Sequence, residues 1–272
     1  VWDWISPGIT QPVITTPDAS PQAVHCALMN RAHLTKGKFG KALSLSGHDD
    51  WLEVYRDPAL DIDGEQLTLS FWVRPEAYNG HAYFLTKGDY QYGIIQSSAT
   101  ELEFYVHTHE RVAVQAPLPE NWTEEWHHVA GIYDGADQQL LLYLDGRLAA
   151  SRTCRGAVTN GPYPVNIGKS AEIRDSHMGP LCRATIDRVR IFDQVVPVAD
   201  LQSNAGSWKT EARLWLDFER TREEGTFYSI GIPGRTYGLV WPDRSVQPAS
   251  EYSSAVPISL MSSTRKAGSW NR

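Results

Sequence analysis

The 272 residues suffice for one large β-domain or for two small domains. Hydrophobic residues make up 42% of the chain and charged residues 21%, which is ordinary for a globular protein. The formal net charge of −7 argues against nucleic acid as a partner, because phosphate binding needs concentrated Lys and Arg. No apolar run reaches the length of a membrane span, so a membrane partner is not expected either.

Strand-like alternation dominates the first half of the chain after a proline-rich opening. Residues 1–22 show little periodicity and indicate an extended connection. The run 67–75 then repeats with a period of two, which puts Leu67, Leu69, Phe71 and Val73 on one inward face, and Pro75 ends it. Further strands are predicted at 82–86, 90–96, 101–107, 111–115, 165–168 and 185–192.

The clearest local pattern is a hairpin over residues 126–147. Two short apolar runs, 126–135 and 140–144, flank a polar connection. The second run ends in Asp145-Gly146, a dipeptide suited to a tight turn. Many short strands with turn signals between them, and no sustained helical period, predict an all-β fold.

A set of motifs gives this all-β pattern a family resemblance. GKFGKALSLSG, DDWLEV, LTLSFWVRP, WHHVAG, NIGKS and IDRVRIFDQVV together resemble the LamG-like jelly roll over residues 37–200. The resemblance implies a concanavalin A-like jelly-roll sandwich of two antiparallel sheets, with short irregular flanking segments.

The flanks resemble a different family, the glycoside hydrolase family 2 β-galactosidases. Val1-Trp2-Asp3-Trp4-Ile5 is similar to the end of the seventh barrel strand of those enzymes, and residues 214–219 and 238–248 are similar to the eighth-strand region. This resemblance implies a sandwich inserted between the last two strands of a catalytic barrel. Four segments are therefore expected: a barrel-derived flank at 1–22, the LamG-like sandwich at 23–205, a second flank at 206–252 and a tail at 253–272.

The resemblance further implies that the chain is a piece of a larger, secreted or periplasmic bacterial glycosidase. A family 2 glycosidase uses two glutamates, and the resemblance places both on barrel strands upstream of Val1. Glu219, Glu223 and Glu224 match no catalytic motif and are interpreted as surface carboxylates. The chain is thus not expected to be an enzyme on its own. Trp2 or Trp4 would form a sugar platform only with the remainder of the glycosidase barrel.

Carbohydrate recognition needs exposed aromatic rings beside polar groups, since ring faces stack on sugar C–H surfaces. The candidates within the sandwich are Tyr78, His81, Tyr83, Tyr90, Tyr92 and His107. The alternative for each is ordinary core or rim packing. Trp72, Trp126 and His128 belong to the strand pattern and are interpreted as structural, and Asn121-Trp122-Thr123 formally fits a glycosylation sequon.

One carboxylate suggests a structural Ca²⁺. Asp187 shares parity with Val189 and Ile191, so it is predicted to point inward, where an unpaired carboxylate is costly. LamG-like sandwiches often hold Ca²⁺ between the last strand and an early loop, which makes Asp49 and Asp50 the expected co-ligands of Asp187. The alternative is that Asp187 accepts backbone N–H bonds or pairs with an arginine. For the three cysteines, both a Cys154–Cys182 disulfide and three free thiols including Cys26 remain open.

The leading hypothesis is a non-catalytic accessory domain of a β-galactosidase-like glycoside hydrolase that binds carbohydrate, with a galactose-containing glycan as partner. The alternatives are a contribution of Trp2 or Trp4 to a complemented active site, and a purely structural insertion.

Overall fold

Antiparallel strands build the protein. The structure is a computed structural model that describes residues 13–54, 56–78, 80, 82–88, 90–170, 181–203, 206–224, 228–232 and 235–240. The strands are, in chain order, β1 (Val13–Pro17), β2 (His25–Met29), β3 (His33–Lys36), β4 (Lys41–Ser46), β5 (Trp51–Val54), β6 (Gln66–Ala77), β7 (Ala82–Lys87), β8 (Tyr92–Gln96), β9 (Glu101–His107), β10 (Arg111–Pro117), β11 (His127–Asp134), β12 (Gln139–Leu144), β13 (Arg147–Thr153), β14 (Asn166–Ile167), β15 (Arg183–Phe192), β16 (Leu214–Leu216), β17 (Arg222–Glu224), β18 (Tyr228–Ile232) and β19 (Arg235–Val240).

Two large sheets pack face to face. The first has the order β10-β9-β8-β7-β14-β5-β2-β1-β17, and the second has the order β13-β12-β11-β6-β15-β4-β3, with β16 paired to the second half of β15. The strands β18 and β19 form a separate hairpin. This arrangement confirms the predicted all-β sandwich of two antiparallel sheets. Residues 13–15 and 222–224, which were predicted to belong to the flanks, pair with each other at the end of the first sheet.

Helical structure is short in the described ranges. The α-helix α1 spans Val198–Gln202, and 3₁₀ turns occur at Pro58–Leu60 and Gly206–Glu211. Within the part of the chain that the structure describes, no helix has the length and hydrophobicity needed to cross a membrane.

The core lies between the two sheets, where the period-two pattern predicted it. The inward residues of β6 are Leu67, Leu69, Phe71 and Val73, and each is fully buried. The predicted hairpin is also confirmed, with Asp134 opposite Gln139 at its start and Val129 opposite Leu144 at its end. Asp145 and Gly146 then turn the chain into β13 with φ of 50° and 77°, as a two-residue turn of the right twist requires.

The prediction that Asp187 points into the sandwich interior is wrong, because a bulge changes the parity of β15. The register against β6 passes from Asp187–Trp72 to Arg190–Ser70, and the extra residue, Arg188, has φ of 52°. Ile186 and Val189 both reach the core for this reason. Asp187 instead lies on the outer face beside Trp72, buried beneath the loop between β3 and β4.

One edge strand of each sheet lies beside an edge strand of the other sheet. β10 ends the first sheet and β13 ends the second, and the Arg152 guanidinium on β13 donates to the Ala113 carbonyl on β10 at 3.0 Å. All three cysteines are buried and free, so the structure favours the free-thiol alternative over the Cys154–Cys182 disulfide.

Candidate functional site

The predicted sugar-contacting residues divide between the two ends of β7 and β8. These strands are antiparallel, with Ala82 opposite Gln96 at one end and Lys87 opposite Tyr92 at the other. Tyr78 follows β6 near the Gln96 end, and Tyr83 is half-buried on β7. Tyr90 and His107 lie at the opposite end. His81, Trp2 and Trp4 lie outside the described residues.

Tyr92 is not available to a ligand, which corrects its selection as a candidate. Its side chain is fully buried with the inward residues of β8, such as Ile94. The hydroxyl donates to the Leu60 carbonyl at 3.2 Å, and burial raises the pKa of Tyr92 far above its usual value. The ring therefore belongs to the core.

A cavity of about 270 Å³ opens beside Tyr78. It lies where the end of β6, the loop between β8 and β9 and the loop between β10 and β11 meet. Its lining consists of Pro75, Ala77, Tyr78, Gln96, Ala99, Thr100, Leu118, Pro119, Glu120, Trp122 and Thr123. We refer to it as the Tyr78 cavity. It combines aromatic rings, an amide, two threonine side chains and one carboxylate, the mixture that sugar recognition requires.

The two aromatic rings of the cavity are held differently. Tyr78 is 36% exposed, and its hydroxyl lies 3.5 Å from the Ser97 carbonyl oxygen. Trp122 is only 5% exposed, and its indole N–H donates to Gln96 Oε1 at 3.1 Å. Tyr78 can therefore offer ring surface to a ligand, whereas Trp122 forms a fixed wall and orients the Gln96 amide.

Behind this wall, Trp122 stacks on His127, with ring centroids 5.0 Å apart and an interplanar angle of 26°. His127 Nδ1 lies 2.8 Å from Asp145 Oδ2, and Nε2 lies 3.1 Å from the Asn121 carbonyl oxygen. Burial lowers the pKa of His127, but the hydrogen bonds to Asp145 and Asn121 outweigh it, so that the pKa is raised overall. In the sequence, Trp122 stands out only as part of a sequon, and no pattern there indicates this cluster.

At the opposite end of the strands, the rings of Tyr90 and His107 meet edge to face with centroids 5.6 Å apart. Tyr90 is 62% exposed. Lys87 joins the loops at this end, because its buried ammonium lies within hydrogen-bonding distance, 2.8 to 3.2 Å, of Asp61, Gln91 and the carbonyls of Gly161 and Tyr163. Burial lowers the pKa of Lys87 to about 8, against the opposing charge of Asp61. Tyr90 is thus a second exposed ring, and it lies beside loops that hydrogen bonds to Lys87 hold in place.

One hydroxyl–imidazole pair has the composition of a nucleophile and its base, but its location rules out that role. Ser70 Oγ lies 2.9 Å from His128 Nε2, and both side chains are buried. Burial, reinforced by the charge of Arg190, lowers the pKa of His128 to about 3. The pair lies on the outer face of the second sheet beside Trp72, and both side chains are buried out of reach of a substrate, so the interpretation of His128 as structural holds.

The proposed calcium ligands do not come together, and the predicted ligand set is wrong. Asp49 pairs with Arg31 at 2.9 Å, and Asp50 accepts from the Ser46 amide and hydroxyl at 2.7 and 2.9 Å. Asp187 accepts the Phe39 N–H at 2.9 Å, at the other end of β4. Across the described residues, no group of three His, Cys, Asp or Glu side chains could hold a metal ion. These residues therefore do not fit a shared Ca²⁺.

Comparison with known families identifies the sandwich. Residues 46–202, more than half of the chain, match the family model of the concanavalin A-like lectin/glucanases superfamily. The chain belongs to this superfamily. Comparison with curated protein sequences gives no match.

Solved structures of this superfamily's fold resemble the chain at low sequence identity. Domain 4 of an extracellular GH43 arabinanase from Geobacillus stearothermophilus, in complex with arabinotriose, has a TM-score of 0.53 at 19% identity, over 71% of this chain and 100% of that domain. A protein from Bacteroides ovatus has a TM-score of 0.53 at 11% identity, over 84% of this chain and 58% of that one. The binding domain of botulinum neurotoxin DC, in complex with SialylT, has a TM-score of 0.50 at 13% identity, over 72% of this chain and 51% of that one. These likenesses establish the concanavalin A-like fold.

Proposed function

We propose that the chain is a non-catalytic carbohydrate-binding domain and that the Tyr78 cavity holds the sugar. The observation that carries this proposal is the exposed ring of Tyr78 standing over a cavity edged by Gln96, Thr100 and Thr123. A ring face binds the C–H surface of a sugar, while hydroxyl and amide groups fix the sugar hydroxyls. The arabinotriose bound to the arabinanase domain of the same fold supports this class of ligand.

The size and charge of the cavity narrow the ligand to a neutral terminal sugar. Its volume of about 270 Å³ is below the ~300–1,000 Å³ of most small-molecule sites, which suits one sugar unit better than a chain. The residues lining the cavity include the carboxylate of Glu120 and neither Lys nor Arg. An acidic sugar would meet repulsion there without a compensating cation. A galactose-containing glycan is the proposed ligand.

We further propose that this domain accompanies a β-galactosidase-like glycoside hydrolase, which is secreted or periplasmic in a bacterium. The support is the sequence resemblance of Val1–Ile5 and of residues 238–248 to barrel segments of those enzymes. The occurrence of the same fold as one domain of an extracellular GH43 arabinanase adds to it. In this proposal the sandwich extends beyond the predicted bounds of 23–205, because β1 and β17 belong to its first sheet and β16 pairs with its second. The catalytic glutamates belong to the remainder of the enzyme.

Titration of the ¹⁵N-labelled chain with lactose and with 3′-sialyllactose tests the binding proposal. We expect lactose to bind and sialyllactose to bind at least about tenfold more weakly, a difference of about 1.4 kcal/mol. Tyr78→Ala is expected to weaken lactose binding about tenfold, whereas the matched control Tyr90→Ala changes it less than about twofold.

Three outcomes would contradict the proposal. The absence of binding to lactose and to a wider panel of neutral glycans would favour a purely structural insertion. Loss of binding in Tyr90→Ala but not in Tyr78→Ala would move the site to the other end of the sandwich. Hydrolysis of lactose by the purified chain alone would contradict a non-catalytic role.

A further inference from the structure

We infer that His127, as an imidazolium, positions the Trp122 wall of the Tyr78 cavity and makes sugar affinity fall as the pH rises. This inference rests on the proposed function of the cavity. His127 contacts no ligand itself and acts through Trp122 and Asn121, so it is a positioning residue.

The two acceptors around the ring fit a doubly protonated His127. His127 Nδ1 faces a carboxylate oxygen of Asp145 at 2.8 Å, and Nε2 faces the Asn121 carbonyl oxygen at 3.1 Å. Both partners are acceptors only, and a neutral imidazole carries a single N–H. Only the imidazolium can donate to both. Loss of one proton would set a nitrogen lone pair against one of the two oxygens.

The bonds of His127 reach the cavity through two routes. The first is the stacking of the imidazole on the Trp122 indole, whose N–H orients the Gln96 amide at the cavity surface. The second is the Asn121 carbonyl, which belongs to the loop residue directly before Trp122. Weakening the bond to Asn121 would therefore loosen the segment that carries Trp122 and Thr123, both of which line the cavity.

The charged groups facing His127 act in one direction. Asp145, in the turn between β12 and β13, and Glu125, in the loop before β11, both favour the protonated ring. Two further neighbours are uncharged: Val73 of β6 lies opposite His127, and Trp122 covers its ring face. Burial opposes the charge, but the pKa is raised overall. A raised pKa means that the contacts are intact below the ordinary value of ~6.5 and are lost as the pH rises through the folded-state pKa.

The test measures lactose affinity and ring protonation in the same samples between pH 5.5 and 8.5. We expect lactose affinity to fall about threefold to tenfold over this range, because sugar binding and protonation of His127 are coupled through the cavity wall. His127→Gln, which cannot carry a charge, is expected to bind lactose with an affinity that is low and independent of pH. The matched control His107→Gln removes a histidine at the other end of the sandwich and is expected to keep the pH dependence.

Asp145→Asn provides a second variant that preserves the turn, because Asn tolerates the positive φ of 50° at this position. Loss of the carboxylate charge is expected to move the decline in affinity to lower pH. In the free protein, the imidazole resonance of His127 and the indole N–H resonance of Trp122 should titrate together. His127→Gln and Trp122→Phe serve to assign them.

The outcomes separate this inference from the proposed function. Lactose binding that is equal at pH 5.5 and 8.5 would overturn the role of His127 and leave the binding function intact. A Trp122 resonance that ignores the titration of His127 would overturn the positioning role by itself. Failure of lactose to bind at every pH would instead reject the proposed ligand, and with it the predicted change in affinity.

Discussion

Removing the charge of Asp187 is expected to stabilise the fold at pH 7. The side chain is fully buried, and burial raises the pKa of Asp187 to about 6, although the Phe39 N–H and the Arg188 guanidinium lower it. The ordinary pKa of Asp is ~3.9, and one pKa unit corresponds to ~1.4 kcal/mol. Because the folded-state pKa of about 6 lies well above this ordinary value, ionised Asp187 costs the folded state about 3 kcal/mol at pH 7.

The direction in which pH changes the stability follows from proton binding by Asp187. Between ~pH 4 and 6 the folded chain holds the Asp187 proton while the unfolded chain has released it, so stability falls as the pH rises through this window. Asp187→Asn carries no charge and keeps an oxygen for the Phe39 N–H. We expect its free energy of unfolding in urea to exceed that of the parent protein by about 1–3 kcal/mol at pH 7 and by less than ~1 kcal/mol at pH 4.

Asp49→Asn is the matched control, because the Asp49 carboxylate is exposed and pairs with Arg31 at the surface. Its free energy of unfolding should stay within ~1 kcal/mol of the parent value at both pH values. An Asp187→Asn variant that is less stable than the parent at pH 7 would refute the reasoning, because it would mean that Arg188 and the Phe39 N–H more than offset the burial of the charge.

Three further predictions concern the framework around the site. Lys87→Met should lower the free energy of unfolding in urea by about 3 kcal/mol, because it removes the buried donor shared by Asp61, Gln91 and two carbonyls. Asp61 also forms an ion pair with Arg56, so a loss below ~1 kcal/mol would mean that this pair suffices for Asp61. Gly131→Ala should lower the free energy of unfolding by about 1–3 kcal/mol, because the added Cβ would lie 2.7 Å from the Phe104 ring. A Tm unchanged in thermal unfolding would contradict this contact. A thiol reagent should label none of the three buried cysteines in the native protein and all three after unfolding. Burial blocks access to the thiols and raises the pKa of the Cys182 thiol, which lowers its reactivity. Fewer than three labels after unfolding would indicate a disulfide.

The sheet framework was predictable because its information is local. The alternation of Leu67, Leu69, Phe71 and Val73 fixes which face of β6 is buried without knowledge of any partner strand. Asp145-Gly146 likewise sets a tight turn through its own backbone preferences. Asp187 shows the limit of this reasoning: the extra residue at Arg188 shifts parity, and nothing in the local pattern announces a bulge.

The site was only partly predictable because its members come from separate loops. Tyr78 was selected from its residue type, and it lines the cavity. Tyr90 and Tyr92 have the same sequence parity, yet Tyr90 precedes β8 in a turn while Tyr92 is an inward residue of the strand. Trp122 lies in a loop without periodicity, and two residues outside that loop fix its position. Gln96 is distant in the chain, at the end of β8, and His127 begins β11. Predicting such a cluster requires knowledge of how the strands pair in three dimensions.

The meeting of β10 and β13 affects how copies of this protein behave at high concentration. A terminal strand with open backbone groups invites a second molecule to extend the sheet, and long hydrophobic edges promote aggregation. Here the guanidinium of Arg152 donates a hydrogen bond to the Ala113 carbonyl. Arg111 and Arg147 begin the two strands, and Pro117 ends β10. Strand addition at this side would have to displace an internal contact and bring cationic side chains together. We therefore expect these two edge strands to resist extension of the sheets by a second molecule.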